Sequence, residues 1–225
     1  MNKLTESHDV FSWPDESRVR TMTVMFTDMA ASSRFAEMYG ARAALSKRKR
    51  HNRMLVPMID RHRGTLVEAF GDSLLAVFDQ AEDAARCSIS MQRQLAKFNR
   101  VRQFEHEGLQ IHIRIGLHTG RLILCQYDRH LEVAGRAVNV AARVESGDGR
   151  KTDQILLSET TQKELQDERR FRTEPVQTIR ARGVGSLKLH RLQWKAATAG
   201  PDFTLHQKTA YTNQTTTALI PYHAE

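Results

Sequence analysis

The chain has 225 residues, 40% of them hydrophobic and 27% charged, and two cysteines. This length can bury one sizeable core and is short for two complete domains, so we expect one catalytic-sized domain with tails. Because no run of 18 apolar residues occurs and the first thirty residues lack the layout of a secretory signal, the sequence argues against a membrane-spanning helix and predicts a cytoplasmic protein.

The formal net charge of +8 lies largely in dispersed basic patches at residues 47–53, 100–102 and 168–172. Solvated helix and loop faces account for such patches, and a polyanionic small substrate is also served by them. No aromatic stacking platform or groove-reading motif accompanies the patches, so a nucleic-acid-binding protein is a disfavoured alternative. We therefore expect neither a nucleic acid nor a membrane as a partner.

In chain order, residues 1–19 show no hydrophobic period and are predicted to be an N-terminal arm, and the core starts at Arg20. The run TMTVMFT reads as a strand that ends at Asp28, and two stretches with helical spacing follow it. The runs TLVEAF and SLLAVF flank a Gly-Asp step, which predicts a hairpin with Asp72 at its tip. A helix is expected from about residue 80 to residue 99.

The second half continues the alternation of strands and helices. IHIRIGLHTG and RLILCQY are predicted as two successive strands, and GRAVNVAARVES as a helix opened by Gly135. QILLSETTQKEL predicts a short strand and a helix capped by Ser158 or Thr160. VQTIRA and SLKLHRLQW close a domain of residues 20–194, and residues 195–225 read as a C-terminal tail. Such alternation indicates an α/β layered domain.

Two acidic residues stand where predicted strands end. Asp28 directly follows an apolar strand and Asp72 occupies a hairpin tip, so both can project toward one point. Single Asp residues at such places are mostly turn or cap residues. Two hard oxygen ligands from different elements, completed by substrate phosphates, are however what a Mg²⁺ or Mn²⁺ pair requires. The sequence therefore predicts a site for two divalent metal ions.

Asn139 and Arg143 lie four residues apart in GRAVNVAAR, which places an amide and a guanidinium on one face of one helix. A surface ion pair for Arg143 is the ordinary interpretation, but Asn is a poor interior helix residue and needs a reason to be there. A functional pair would orient a ribose through Asn139 and neutralise charge on a transferring phosphate through Arg143.

Four separated segments match a known family in order and spacing: MFTDMAASS, RHRGTLVEAFGDSLLAVF, IRIGLHTG and GRAVNVAARVES. They resemble the signature segments of class III adenylyl and guanylyl cyclase catalytic domains, over about residues 20–194. The resemblance implies an α/β fold, specifically an α+β sandwich of ferredoxin-like type with a central, mostly antiparallel sheet flanked by helices. It also implies conversion of a nucleoside triphosphate to a 3′,5′-cyclic nucleotide and pyrophosphate.

By this resemblance Asp28 and Asp72 would hold two divalent ions, Mn²⁺ or Mg²⁺, with help from the carbonyl of Met29. Asn139 would bind the ribose, and Arg143 would stabilise the transition state. Family members take the carboxylates from one subunit and the Asn and Arg from the other. A homodimer with two equivalent shared sites is therefore implied.

Arg182 falls near the place where the family offers a Lys to the terminal phosphates, and an Arg there is a competent phosphate partner. The positions that read the base hold Glu68 and Glu132. Adenylyl cyclases place Lys and Asp at these two positions, so we expect ATP to fit poorly. Guanylyl cyclases carry Glu at the first but a small residue at the second, and Glu132 departs from that pattern. The N3 hydrogen of uracil or the amino group of cytosine can satisfy a carboxylate.

Arg50, in the helix that leads to the hairpin, is a candidate to turn into the base pocket, although a solvated position in a basic helix explains it at least as well. The layout resembles the stand-alone pyrimidine cyclases of bacterial Pycsar anti-phage systems, whose cyclic UMP or cyclic CMP is read by a separate effector protein. We rank uridylate cyclase first, guanylate or cytidylate cyclase next and adenylate cyclase last. A non-catalytic nucleotide-binding regulator of the same fold is the alternative.

Overall fold

Eight strands form one sheet in the part of the chain that the structure, a computed structural model, describes: residues 18–102, 107–127, 130–149, 151–167, 169–181 and 183–195. The strands are β1 (Arg18–Met29), β2 (Gly64–Phe70), β3 (Ser73–Phe78), β4 (Ile113–Tyr127), β5 (His130–Ala134), β6 (Gln154–Ser158), β7 (Thr173–Ala181) and β8 (Gly185–Leu192). The helices within these ranges are α1 (Ser32–Arg61), α2 (Ala81–Arg102), α3 (Arg136–Glu145) and α4 (Glu159–Glu164).

The strand order is β2-β3-β1-β4-β6-β8-β7, and β5 pairs with the far half of β4. The pairs in the described ranges are antiparallel, apart from β4 with β6. A mixed, mostly antiparallel sheet flanked by helices confirms the fold class predicted from the sequence.

The sheet is covered on both faces, and β1 shows why. Its side chains alternate between faces, as in any strand. Met25 packs in the cluster that includes Leu55 of α1 and residues of α2, whereas Val24 packs in a second cluster with Ala137 and Ala141 of α3. Helices α1 and α2 thus cover one face, and α3 covers the other.

The prediction of two strands for IHIRIGLHTG and RLILCQY is wrong, because β4 runs through both without a break. The first predicted strand ends at Gly120, but this residue pairs with Met22 within the β1–β4 ladder. A Cβ at position 120 would lie 3.2 Å from Cβ of Ala137 and 3.0 Å from the His118 ring. The glycine therefore admits the close approach of α3 and does not end the strand.

The two helical stretches predicted after Asp28 are confirmed as the two parts of α1, which meet at Gly40, where φ is 82° and the backbone is not helical. Other element boundaries differ from the prediction by a few residues. Strand β5 was not predicted, and β1 begins at Arg18, within the predicted arm. The cap of α4 is Ser158, whose side chain accepts from the Thr161 amide.

Among the described residues, α1 to α4 include none with the length and apolar character that crossing a bilayer would require. The predicted tail lies almost wholly outside the described residues, and the three-part division of the chain stays a prediction.

Candidate active site

The two predicted metal ligands lie at adjoining ends of β1 and β3. Thr27 pairs with Leu74, so Asp28 stands opposite Ser73, the residue that follows Asp72. The Ser73 hydroxyl donates to Oδ1 of Asp28 over 3.1 Å. The pairing of the two strands therefore brings Asp28 and Asp72 to the same end of β1 and β3. That they share a metal site stays a prediction.

The chemistry of this pair fits a divalent cation. Oδ2 of Asp72 is buried and accepts no hydrogen bond from the described residues. A buried carboxylate oxygen without a donor costs free energy, and a cation would remove that cost. Carboxylate oxygens are also the ligands that Mg²⁺ and Mn²⁺ prefer. Asp28 and Asp72 would therefore be the residues that hold metal.

A cation of the protein itself already contacts Asp28. Arg114 is the register partner of Asp28 on β4, and its Nη2 donates to Oδ2 of Asp28. Its Nε lies 2.7 Å from Oε1 of Glu145 at the end of α3. Burial by itself would lower the pKa of Arg114, but the negative charges of Glu145 and Asp28 have the larger effect, so the pKa is raised. Burial raises the pKa of Glu145, and Arg114 opposes that rise.

Sequence reasoning missed Arg114 and Glu145. Arg114 takes a polar position in the alternating run IHIRIGLH and so gives no signal of its own. Glu145 does give one, because it lies four residues after Ala141 on the buried face of α3. Glu is seldom buried unless it is paired, so this position predicts a cationic partner, but the pattern does not say which residue that partner is.

A cavity of about 490 Å³ opens beside Asp72 and Met29. Its wall includes the first turn of α1 at Ser32 and Ser33. The first amide groups of a helix lack partners within the helix and carry partial positive charge. Such a wall suits an anionic ligand next to a metal site.

Two basic residues of α1 also line this cavity, namely Lys47 and Arg48. Lys47 donates to the Gly108 carbonyl over 3.0 Å, and its ammonium lies 4.3 Å from the ring centroid of Phe35. Burial lowers the pKa of Lys47. Arg50, in contrast, places its guanidinium 5.9 Å from the ring centroid of Phe98 on α2. Arg50 is exposed, as the solvated interpretation expects, and its role in the base pocket stays a prediction.

Asn139 and Arg143 line a different cavity, of about 660 Å³. Both are exposed, because Val140, Ala141 and Val144 turn the opposite side of α3 toward the sheet. The cavity also includes Arg136, which sequence reasoning missed. The Nη2 of Arg136 donates to the carbonyl of Val184 and so ties the start of α3 to the β7–β8 turn.

Arg182 precedes that turn and lies outside the described residues, so its predicted contact with phosphates stays a prediction. Within the described part of the chain, the two halves of the predicted site line separate cavities. Asp72 lines one cavity, and Asn139 and Arg143 line another. This separation is what a site shared between two subunits requires.

The predicted base-reading residues lie on two strands that approach each other. Val67 of β2 and Val133 of β5 pack against the same hydrophobic cluster. Glu68 follows Val67 at a β-bulge, and Glu132 precedes Val133 opposite Cys125. Both glutamates are exposed in the single chain. They are therefore free to meet a ligand.

The chain belongs to the family described as Adenylate and Guanylate cyclase catalytic domain, which matches residues 15–194. It is 25% identical over 174 residues to Adenylate cyclase 1 of Rhizobium meliloti (strain 1021), covering 72% of this chain and 26% of that protein. It is 28% identical over 155 residues to an adenylate cyclase of Anabaena cylindrica, and the match covers 65% of this chain and 31% of that protein. The chain thus spans about a quarter to a third of the length of these relatives.

Solved structures show the same fold. The adenylyl cyclase CyaB from P. aeruginosa superposes with a TM-score of 0.70 at 18% identity, covering 82% of this chain and all of that one. The guanylyl cyclase Cya2 superposes with a TM-score of 0.68 at 22% identity, and the match covers 78% of this chain and 93% of that one. The described sheet and helices are therefore those of cyclase catalytic domains.

Proposed function

We propose that this chain is a class III nucleotidyl cyclase, which converts a nucleoside triphosphate to a 3′,5′-cyclic nucleotide and pyrophosphate. One observation carries the proposal: Asp28 and Asp72 adjoin at the end of β1 and β3, and an oxygen of Asp72 is buried there without a donor. A buried carboxylate oxygen without a donor suits a cation as its partner.

The proposed active unit is a homodimer. In it, the cavity of Asp72 in one protomer faces the cavity of Asn139 and Arg143 in the other, so two equivalent sites form. Divalent ions bound to Asp28 and Asp72 would supply activation of the 3′-hydroxyl and stabilisation of the pyrophosphate. Met29 would assist through its carbonyl.

The residues of the chain would then do the following. Asn139 orients the ribose, so that the 3′-hydroxyl approaches the α-phosphorus in line. Arg143 neutralises charge that builds on the α-phosphate. Arg182 contacts the terminal phosphates. Lys47 and Arg48 add positive charge to the wall of the metal cavity.

For the base, we propose one that donates hydrogen bonds to Glu68 and Glu132. Guanine has two such donors, N1–H and the amino group, and uracil has one, N3–H, whereas the N1 of adenine is an acceptor and would face a carboxylate lone pair. We place GTP first, because Glu68 is the residue type that guanylyl cyclases carry there and the similar solved structures include the guanylyl cyclase Cya2. UTP, ranked first from the sequence alone, is the second candidate, because Glu132 departs from the guanylyl pattern. A role in anti-phage signalling through a separate effector belongs to this second candidate.

The test is incubation of the purified chain with Mn²⁺ and each of ATP, GTP, UTP and CTP, with cyclic products separated by chromatography. GTP as the best substrate supports the first candidate, and UTP supports the second. Binding of nucleotide without any product, unchanged in Asp72→Ala, would instead favour a non-catalytic regulator.

A swap of the base-reading residues sharpens this test. Glu68→Lys with Glu132→Asp installs the pair that adenylyl cyclases carry, so ATP turnover should rise relative to GTP and UTP by roughly 100-fold or more, since an unpaired buried group discriminates strongly. An unchanged preference would show that these positions do not read the base.

A further inference from the structure

The guanidinium of Arg114 lies between two carboxylates from different elements. It contacts Asp28 on β1 through Nη2 and Glu145 on α3 through Nε. The side chains of Asp28, Arg114 and Glu145 are 26%, 22% and 7% exposed. Because all three are largely removed from water, loss of either anionic partner leaves the others poorly compensated.

The packing of α3 on β4 fixes this geometry. A Cβ at Gly116 would lie 2.6 Å from the carbonyl oxygen of Ala141 and closer still to the backbone of Glu145. The backbone of α3 therefore rests directly on β4. Arg114 lies two residues before Gly116 on the same face of the strand. Glu145 is thus held beside Arg114 by backbone packing and not by a flexible surface contact.

We propose that Glu145 is a positioning residue that retains Arg114 when a divalent ion binds Asp28. The inference rests on the proposed function, since it takes Asp28 and Asp72 as the metal site. An entering cation and the Arg114 guanidinium repel each other and compete for the same carboxylate. Arg114 must therefore withdraw from Asp28, and Glu145 is already in contact with it as a charged partner.

Without Glu145, the described ion pairs of Arg114 reduce to the one with Asp28. The metal would then have to displace a largely buried cation that has no second carboxylate partner among the described residues. Metal binding would become weaker, while removal of Arg114 itself would relieve the competition. Glu145 in this view acts on the metal only through Arg114.

The experiment is titration of the full chain with Mn²⁺ alone, following free Mn²⁺ by electron paramagnetic resonance. The site is defined as the binding lost in Asp72→Asn. In Glu145→Gln the Kd at this site should rise roughly tenfold, as for strongly coupled neighbours. Arg114→Gln should bind at least as tightly as the wild type. The double variant Arg114→Gln with Glu145→Gln should match Arg114→Gln.

Glu145→Asp distinguishes the contact with Arg114 from the direct electrostatic attraction between a negative charge and the metal ion. It keeps the charge, but its side chain is one methylene shorter and moves the carboxylate away from Arg114. It should weaken Mn²⁺ binding within about threefold of Glu145→Gln, since the close contact is what matters. Glu174→Gln, which removes an exposed acid paired with Arg191 on the far strand, is the matched control and should bind as the wild type does.

Wild-type affinity in Glu145→Gln would overturn the proposal, as would wild-type affinity in Glu145→Asp alone. Absence of any Mn²⁺ binding that depends on Asp72 would also overturn it. The proposed function is decided separately, by the product assay with the four nucleotides. Glu145→Asp retains the charge at the buried position, so it keeps the test open if Glu145→Gln does not fold.

Discussion

Ser73 donates a hydrogen bond from its hydroxyl to Oδ1 of Asp28 over 3.1 Å. Because Ser73 directly follows Asp72, one short stretch of chain supplies a proposed metal ligand and orients the other. The hairpin tip and the end of β1 therefore form one unit. Substitutions in this unit should reduce catalytic activity more than they reduce the stability of the fold.

Asp72→Asn should reduce metal-dependent cyclisation by about 1000-fold, because a neutral amide is a weak ligand for a hard cation and metal ions supply several kcal/mol of transition-state stabilisation. The fold should persist, since Asp72 lies in a turn and its Oδ2 makes no hydrogen bond to the described residues. The measurement is the initial rate of product formation with Mn²⁺. Asp79→Asn, which removes an exposed acid paired with Arg20, is the control and should keep most of the activity.

Mixing two inactive variants should restore activity if the site is shared between subunits. Asp72→Asn removes a proposed metal ligand, and Arg143→Ala removes the side chain proposed to stabilise the transition state. Random exchange gives heterodimers in about half of the dimers, each with one intact site of two, so about a quarter of wild-type activity should return. Product formation is measured before and after subunit exchange. A mixture no more active than its components would mean that each chain carries a complete site.

Gly116→Ala should destabilise the protein by about 2 to 3 kcal/mol, because the new Cβ meets backbone atoms of α3 that cannot move alone. Urea unfolding followed by circular dichroism measures the loss. Gly149→Ala is the comparison: its surroundings are open, and only its φ of 66° opposes a side chain, at a cost of about 1 kcal/mol. Equal losses in the two variants would contradict the backbone contact of α3 with β4.

His118 should make stability depend on pH. Burial, and secondly the charge of Arg136, lower the pKa of His118 to about 4, against about 6.5 in an unfolded chain. Between these values the unfolded chain binds the proton and the folded chain does not, so stability is lost as the pH falls from 6.5 toward 4. We expect a loss of about 2 kcal/mol, less than the full shift implies because the ring is partly exposed.

Urea midpoints at pH 7, 5.5 and 4.5 test this dependence. In His118→Gln the fall should be smaller, since Gln does not titrate and can still bond to the Ser158 hydroxyl that the ring contacts at 2.8 Å. Identical curves for the variant and the wild type would assign the acid sensitivity to other groups.

Hydrophobic period and turn residues were enough to predict the hairpin of Asp72 and a helix that carries Asn139 and Arg143 on one face. These features depend on residues close in sequence. The contact of Arg114 with Glu145 depends on how a strand and a helix pack, and no local pattern encodes it. The continuous strand β4 was predicted as two strands divided after Gly120, because a glycine that admits a neighbouring helix cannot be distinguished, in sequence, from one that ends a strand. The base could not be predicted because it depends on the surroundings of Glu68 and Glu132 in an assembled site.

Strand β1 occupies the middle of the sheet, yet among the described strands it is the first in the chain. Thr23, for example, reaches its side-chain partner Thr119 across 96 positions. During synthesis on the ribosome, β1 is made before α1, β3 and β4, so its two edges are unpaired and its two apolar faces are exposed until those elements have been synthesised. Pairing between segments that are distant in sequence is slow, and exposed strand edges promote aggregation. The protein should therefore depend on chaperones while it is being made and regain its fold only slowly after dilution from denaturant.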